Sequence, residues 1–369
     1  MAKNNYILFT PGPTEVPDFI LKESGRPLIY HREAKFSELY HATVKELKKV
    51  FVTNGNIFIF TASGTGAMEA AVSNIISRGD KVLVVSCGKF GERWRELLFR
   101  YGAFVRNLVA PYGEIVAPEE LERRLKTDDT IKFVFTTLTE TSTGALSDIK
   151  AYGKICRNLN RLLIVDGIAG IGADEFRMDE YNVSVAVGAS QKALFTQPGL
   201  SFLACNEKVW EVVKNNRSPR YYFDLLLYKR FAEKGQTPWT PAISLFYGLY
   251  RALQTVNKKS INNVWKEHKA IAEYTRKEII KMGLEIFPKN PSNALTVIKM
   301  PKDIDGSEIV EHVKKRYHLL FSNGQAEMRG KIVRIGHMGY IKKSDMVKVL
   351  NAFKSGYKFV TKSSQSKRT

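Results

Sequence analysis

The sequence predicts an α/β fold built on a largely parallel sheet covered on both faces. Three observations carry this. Short β-branched or aromatic runs alternate with helical stretches over the first two hundred residues. A loop-rich break follows, and a second, smaller strand–helix unit comes after it. The length of 369 residues exceeds one core of ordinary size and suggests two domains.

Strands are expected at Ile57–Phe60, Lys81–Val85, Phe104–Val109, Lys132–Thr137, Leu162–Asp166, Val183–Val187 and Leu200–Cys205. The amphipathic stretches Gly66–Ser77, Glu92–Tyr101, Pro118–Thr127 and Asp148–Leu159 lie between them. Arg217-Ser-Pro-Arg220 and Gln236-Thr-Pro-Trp-Thr-Pro241 mark the break, and the second proline pair opens a helix through Ile243–Leu253. From Ile261 a long helix leads to a strand at Leu295–Lys299 and a helix at Gly306–Arg316. Strands at Leu319–Ser322 and Ile332–Ile335 and a helix at Ser344–Tyr357 complete this unit. The division expected is an N-terminal arm over 1–20, a large domain over 21–257, a smaller C-terminal α/β domain over 258–360, and a disordered basic tail over 361–369.

The composition, 44% hydrophobic and 25% charged, is that of an ordinary globular protein. No apolar run approaches the ~18 residues of a membrane span. The stretch before Pro11 is too short for a secretory signal, so a cytoplasmic setting without membrane association is expected. Cys87, Cys156 and Cys205 form no CxxC pair and read as reduced core thiols. The six histidines show no ligand spacing, so metal chemistry has no support. A net charge of +20 would suit a nucleic-acid binder, yet the lysines are spread along the chain beside acids, as in Lys266-Glu-His-Lys269. Solvated surface with a potential favourable to anionic substrates is the preferred reading over nucleic-acid binding.

Ligands in such sheets gather at the carboxyl ends of strands. Asp166 closes the apolar run Leu162-Leu-Ile-Val, and Lys192 follows 26 positions later, just beyond the Val183–Val187 strand. Alone, Asp166 reads as a helix N-cap and Lys192 as a surface lysine. Together they are what a pyridoxal phosphate site needs. The amine forms a Schiff base with the cofactor aldehyde, and the carboxylate keeps the pyridine nitrogen protonated. At ~4 Å and an effective dielectric near 20, that ion pair is worth about 4 kcal/mol.

Phe58-Ile-Phe-Thr-Ala-Ser63-Gly64-Thr65-Gly66 is a strand, a tight turn and a helix start, a potential anion cradle or a plain Gly-rich turn. It lacks the last glycine of a dinucleotide fingerprint and the Walker ending. Glu140-Thr141-Ser142-Thr143-Gly144 ends a strand in hydroxyls, an ordinary loop or one that sets Thr141 against the cofactor's ring hydroxyl. Phe90, between glycines, is either core or a ring that stacks on a planar cofactor. Arg334 stands in an apolar strand and needs a partner, either an internal acid or a substrate carboxylate. His31-Arg32 reads as loop or as the mouth of a cleft.

In order along the chain, Thr10-Pro-Gly-Pro13, Ser63-Gly-Thr65, Glu140-Thr-Ser-Thr-Gly144, Val165-Asp-Gly167, Ser190-Gln-Lys192 and Arg334-Ile-Gly336 closely resemble the class V aminotransferases of pyridoxal phosphate fold type I. Alanine–glyoxylate and serine–pyruvate aminotransferases look most similar. The resemblance implies a large, mostly parallel sheet sandwiched by helices plus a smaller C-terminal α/β domain. It implies that Lys192 carries the cofactor and moves the proton at the substrate Cα, and that Asp166 pairs the pyridinium. Ser63, Gly64, Thr65 and Gln191 would hold the phosphate, with Thr240 supplied by a neighbouring subunit. Phe90 would stack on the ring, Thr141 and Ile168 would pack around it, and Arg334 would bind the substrate carboxylate. The implied enzyme is a homodimer with active sites at its interface. It moves the amine of alanine or serine to glyoxylate or pyruvate by a ping-pong route.

Other readings on the same fold are an aminotransferase for aminophosphonates or phosphorylated amino acids, and a lyase. A desulfurase needs a mobile nucleophilic cysteine, and none follows Cys205. A basic polyanion-binding protein is the non-enzyme alternative. Two departures from the family pattern are Phe90, where tryptophan or tyrosine is common, and the register of the segment holding Thr240.

Overall fold

The computed structural model describes residues 6–366. Its main sheet has seven strands in the order Asn56–Thr61, Leu200–Cys205, Val185–Ala189, Leu162–Asp166, Phe133–Thr137, Lys81–Ser86, Phe104–Val109. Leu200–Cys205 runs antiparallel to both neighbours, and the remaining pairs are parallel. The central strands are apolar on both faces because helices cover both. Alternate residues enter opposite cores: Leu163 and Val165 join one, Ile164 the other. The first core is closed by residues of Ala34–Phe51 and Ile243–Lys258, the second by residues of Gly64–Ile75 and Lys89–Arg100. Each aliphatic side chain so buried contributes about 1.5–3 kcal/mol relative to exposure. The edge strand Phe104–Val109 leaves Phe104 and Val109 exposed.

The antiparallel strand has a local consequence. It turns the connection after Val185–Ala189 into a hairpin loop over 190–199, so Lys192 stays at the strand's carboxyl end. That loop is tied to itself by Ser190 Oγ donating to Gln197 O (2.7 Å) and by Thr196 N donating to Ser190 O (3.1 Å).

A second sheet of four antiparallel strands holds Glu285–Ile286, Leu295–Lys299, Ile332–Gly336 and Ser322–Asn323. Gly306–Tyr317 and Lys343–Ser366 pack on it with the end of Ile261–Lys281. Ala169, Ala173 and Ala193 meet Ala294, Leu295 and Val297 between the two sheets. A buried polar contact reinforces this seam. Asp174 accepts from Thr139 Oγ1 (2.6 Å), Ser292 Oγ (2.5 Å) and Asn293 N (2.7 Å).

The N-terminal segment crosses from one sheet to the other. Ile7–Leu8 pairs with Leu319–Leu320, Gly336 N donates to Phe9 O (2.7 Å), and Thr14 N donates to Gln191 O (3.0 Å). A Cβ on Gly336 would run into Thr10 O, so this close approach requires glycine.

Differences from the sequence expectation have physical causes. Helices at Asp18–Ser24, Ala34–Phe51, Val209–Asn215 and Leu225–Ala232 were not expected. Ala34–Phe51 starts after Glu33 without a side-chain cap, so its sequence carries no start signal. The strand expected at Val183–Val187 lies two residues later. The final helix extends to Ser366, through most of the segment expected to be disordered over 361–369; its last three residues, like the first five of the N-terminal arm, lie outside the described residues. Among the described residues no helix is long and apolar enough to cross a membrane.

Candidate active site

The strand Asn56–Thr61 is followed by the turn Ala62-Ser63, and the helix Gly64–Ile75 begins two residues before the expected start. Ser63 makes no side-chain cap, and the amides of Gly64 and Thr65 have no partner among the described residues. Free amides at a helix start attract anions, aided by the helix dipole. A Cβ on Gly64 would meet the Ile168 side chain, so the turn and the residue after Asp166–Gly167 lie in close contact.

Ser63, Gly64, Thr65, Phe90, Thr141, Asp166, Ile168, Gln191 and Lys192 line one cavity, together with Arg93, Thr139 and Ala169. Nine expected residues, spread from Ser63 to Lys192, thus meet at the carboxyl ends of the strands. Arg334 and Thr240 are outside this lining. Arg334 stands behind Thr141, whose carbonyl accepts from its Nη1 (2.9 Å). Thr240 is exposed, in a loop pinned by Arg32 to the carbonyls of Thr237 (2.9 Å) and Pro238 (3.0 Å). Arg32 is therefore a loop anchor.

Lys192 Nζ donates to Pro11 O (2.6 Å), and Thr14 Oγ1 donates to Lys192 O (3.0 Å), so the N-terminal segment holds the lysine from the far side. Burial lowers the amine to about 8; Asp166 opposes the shift, while Arg334 and Arg93 add to it. Asp166 is buried and accepts from Ile168 N (2.9 Å). Burial raises its carboxyl to about 7 against the pull of that amide and of Arg93 and Lys192. A cation placed at its other oxygen would return it to the ionised form.

Glu140 organises the opposite wall. It is fully buried, and its carboxylate accepts from Phe90 N (2.9 Å), Gly91 N (3.0 Å), Ser142 N (3.1 Å) and Ser142 Oγ (2.5 Å). It thereby caps the Phe90 helix and fixes the loop that carries Thr141. Burial raises its own pKa, opposed by these donors. Arg334 is 6% exposed, and its Nε donates to Asn323 O (2.8 Å). Burial lowers its pKa to about 10, with only Glu140 opposing, and no carboxylate lies within ion-pair distance among the described residues. A guanidinium so buried without an ion pair has capacity left for an external carboxylate.

Sequence reasoning missed Arg93, Thr139 and the capping by Glu140. Arg93 carried a usable signal: it lies one helical turn beyond Phe90, on the same face.

This sheet, covered by helices on both sides and joined to a smaller antiparallel unit, is the architecture of fold type I transaminases. A model of the aminotransferase class-V family matches residues 13–347, and the chain belongs to that family. An aminotransferase of Methanocaldococcus jannaschii is 39% identical over 348 residues, covering 93% of this chain and 90% of the relative. The serine–glyoxylate aminotransferase of Methylorubrum extorquens is 36% identical over 345 residues, covering 90% and 86%. The solved structure of an alanine–glyoxylate aminotransferase from Nostoc sp. superposes with a TM-score of 0.93 at 27% identity, covering 97% and 96%. The chain is a transaminase.

The lysine's environment has a direct consequence. Its amine loses its proton near pH 8 rather than near the ordinary 10.5, so it is the neutral, nucleophilic form above that pH. Reductive methylation of the unliganded chain with formaldehyde and cyanoborohydride should modify Lys192 with a rate midpoint near pH 8. Surface lysines should respond only as the pH approaches about 10. A Lys192 profile that tracks the surface lysines would contradict this environment.

Proposed function

We propose that the chain binds pyridoxal 5′-phosphate at Lys192 and moves the amino group of a small amino acid, alanine or serine, to glyoxylate or pyruvate. One observation carries this reading: a desolvated amine, a buried acid and free helix-start amides line one cavity, with a buried, unneutralised arginine behind it. The donor set fits the cofactor. Gly64 and Thr65 offer amides and Ser63 a hydroxyl to a phosphate, and the side-chain NH2 of Gln191, in the same lining, is a further donor. Phe90 and Ile168 supply apolar ring contacts, and Asp166 has an oxygen free for a protonated ring nitrogen.

When bound, the cofactor supplies an aldehyde that condenses with amines and a ring that accepts the electron pair of a broken Cα–H bond. Lys192 would hold the cofactor through its aldehyde and, as a base, would take the proton from the substrate Cα and deliver it to the carbon that had been the aldehyde. Its lowered pKa suits it to both transfers near neutral pH. Asp166 keeps the ring nitrogen protonated, and Arg334 holds the substrate carboxylate so that the Cα–H bond faces Lys192. Donor and acceptor would use the same place in turn, a ping-pong order. Thr240 lies on a surface with exposed Tyr221 and Tyr222 and the half-buried Trp239 they pack on, consistent with a homodimer in which it completes the partner's phosphate site.

A desulfurase reading lacks its nucleophile. The three thiols are buried, and burial pushes each up to about 12.

The proposal is tested by offering the purified enzyme a panel of amino acids with glyoxylate or pyruvate and following the 2-oxo acid formed. Alanine or serine should be the best donors, with parallel double-reciprocal plots. Activity confined to phosphorylated or phosphonate donors would overturn the substrate assignment. Arg334→Ala should raise the KM for amino acid and 2-oxo acid about 10–100-fold, the range for a lost charged hydrogen bond, while the bound cofactor is retained. An unchanged KM would remove Arg334 from the substrate site.

A further inference from the structure

Arg93 lines the cavity, yet the mechanism above gives it no task. It projects from the Lys89–Arg100 helix, one turn after Phe90, and its guanidinium lies over the Phe90 ring at 4.8 Å from the centroid. Its Nη1 donates to Thr65 Oγ1 (3.2 Å), the hydroxyl that flanks the free amides of the Gly64–Ile75 helix. Among the described residues it has no carboxylate within ion-pair distance, although Lys89 on the same helix pairs with Glu92 (3.0 Å).

A charge count shows what such an arginine is for. A phosphate monoester carries about −1.5 to −2 near neutral pH. A helix start supplies roughly +0.5, and hydroxyls add none. Of the cations near the site, Lys192 is committed to the aldehyde, and Arg334 is turned towards the carbonyls of Thr141 and Asn323. Arg93 is the remaining positive charge, and its contact with Thr65 sets it at the phosphate end of the cavity.

We propose that Arg93 is a phosphate-binding residue of the cofactor site, in which one guanidinium both neutralises the phosphate beside Thr65 and braces the Phe90 ring. The inference rests on the cofactor reading above. It adds the basis on which the site would prefer a phosphorylated pyridoxal to the free vitamin aldehyde.

The test compares two ligands that differ only in the phosphate. The full-length chain, freed of cofactor, is titrated with pyridoxal 5′-phosphate and separately with pyridoxal. Wild type, Arg93→Gln and Arg93→Lys are compared, and thermal unfolding checks that each variant is folded. For Arg93→Gln the Kd for pyridoxal 5′-phosphate should rise about 10–100-fold more than that for pyridoxal, as expected for a lost charge-assisted bond, because pyridoxal loses only the support of Phe90. Arg93→Lys keeps the charge without the planar fork and should fall between. Equal weakening for both ligands would make Arg93 a support for Phe90 alone and overturn the phosphate role, as would no change for either. A wild-type chain that takes up neither aldehyde would overturn the cofactor reading itself. Its failure is thereby distinguishable from that of the Arg93 assignment.

Discussion

The site depends on keeping an amine and a carboxylate out of water in the same cavity. Burial drives the Lys192 amine down to about 8 and the Asp166 carboxyl up to about 7, so each is pushed towards its neutral form. Neither shift is self-explanatory as a stabilising device, because burying such groups without full pairing costs free energy. A structure tolerates that cost at a site where the groups do chemistry, which is where shifted titrations concentrate.

The fold supports that arrangement in three ways. The parallel strands bring Asp166 to a shared carboxyl edge, while the antiparallel strand Leu200–Cys205 turns the Lys192 segment into a tied hairpin loop. The buried Glu140 carboxylate fixes the wall that carries Phe90 and Thr141 by accepting from both segments. Finally, the N-terminal segment spans the two sheets. Pro11 accepts from Lys192 while Phe9 is bonded to Gly336, two residues beyond Arg334. The lysine and the arginine proposed to act on one substrate are thus linked through a few residues of chain.

Much of this was legible in the sequence, and the reason is local. Leu162–Asp166, Leu200–Cys205, Leu295–Lys299 and the helix Pro118–Thr127 have the bounds expected, because apolar runs closed by turn or charged residues define buried strands and Pro118 at a helix start is a strong signal. The cavity residues with a marked local context, Ser63 to Thr65, Asp166 and Lys192, were also visible. What could not be read arises only when distant segments meet. The capping of the Phe90 helix joins positions fifty apart. The direction of Leu200–Cys205 is set by pairing, which its own residues do not encode. Ala34–Phe51 has a helical spacing of buried residues, Phe36, Tyr40, Thr43, Leu47 and Val50, but no cap to announce it. Thr240 had neither an anchoring pattern nor a fixed register, and in the single chain it stands apart from the cavity.

The central claim is that one lysine among many is the attachment point for the cofactor. The direct measurement is borohydride reduction of the full-length chain carrying pyridoxal 5′-phosphate, followed by proteolysis and mass mapping. A phosphopyridoxyl adduct on the peptide containing Lys192, at near-stoichiometric yield, is the result predicted. Label absent from that peptide, or scattered over exposed lysines, would contradict the account.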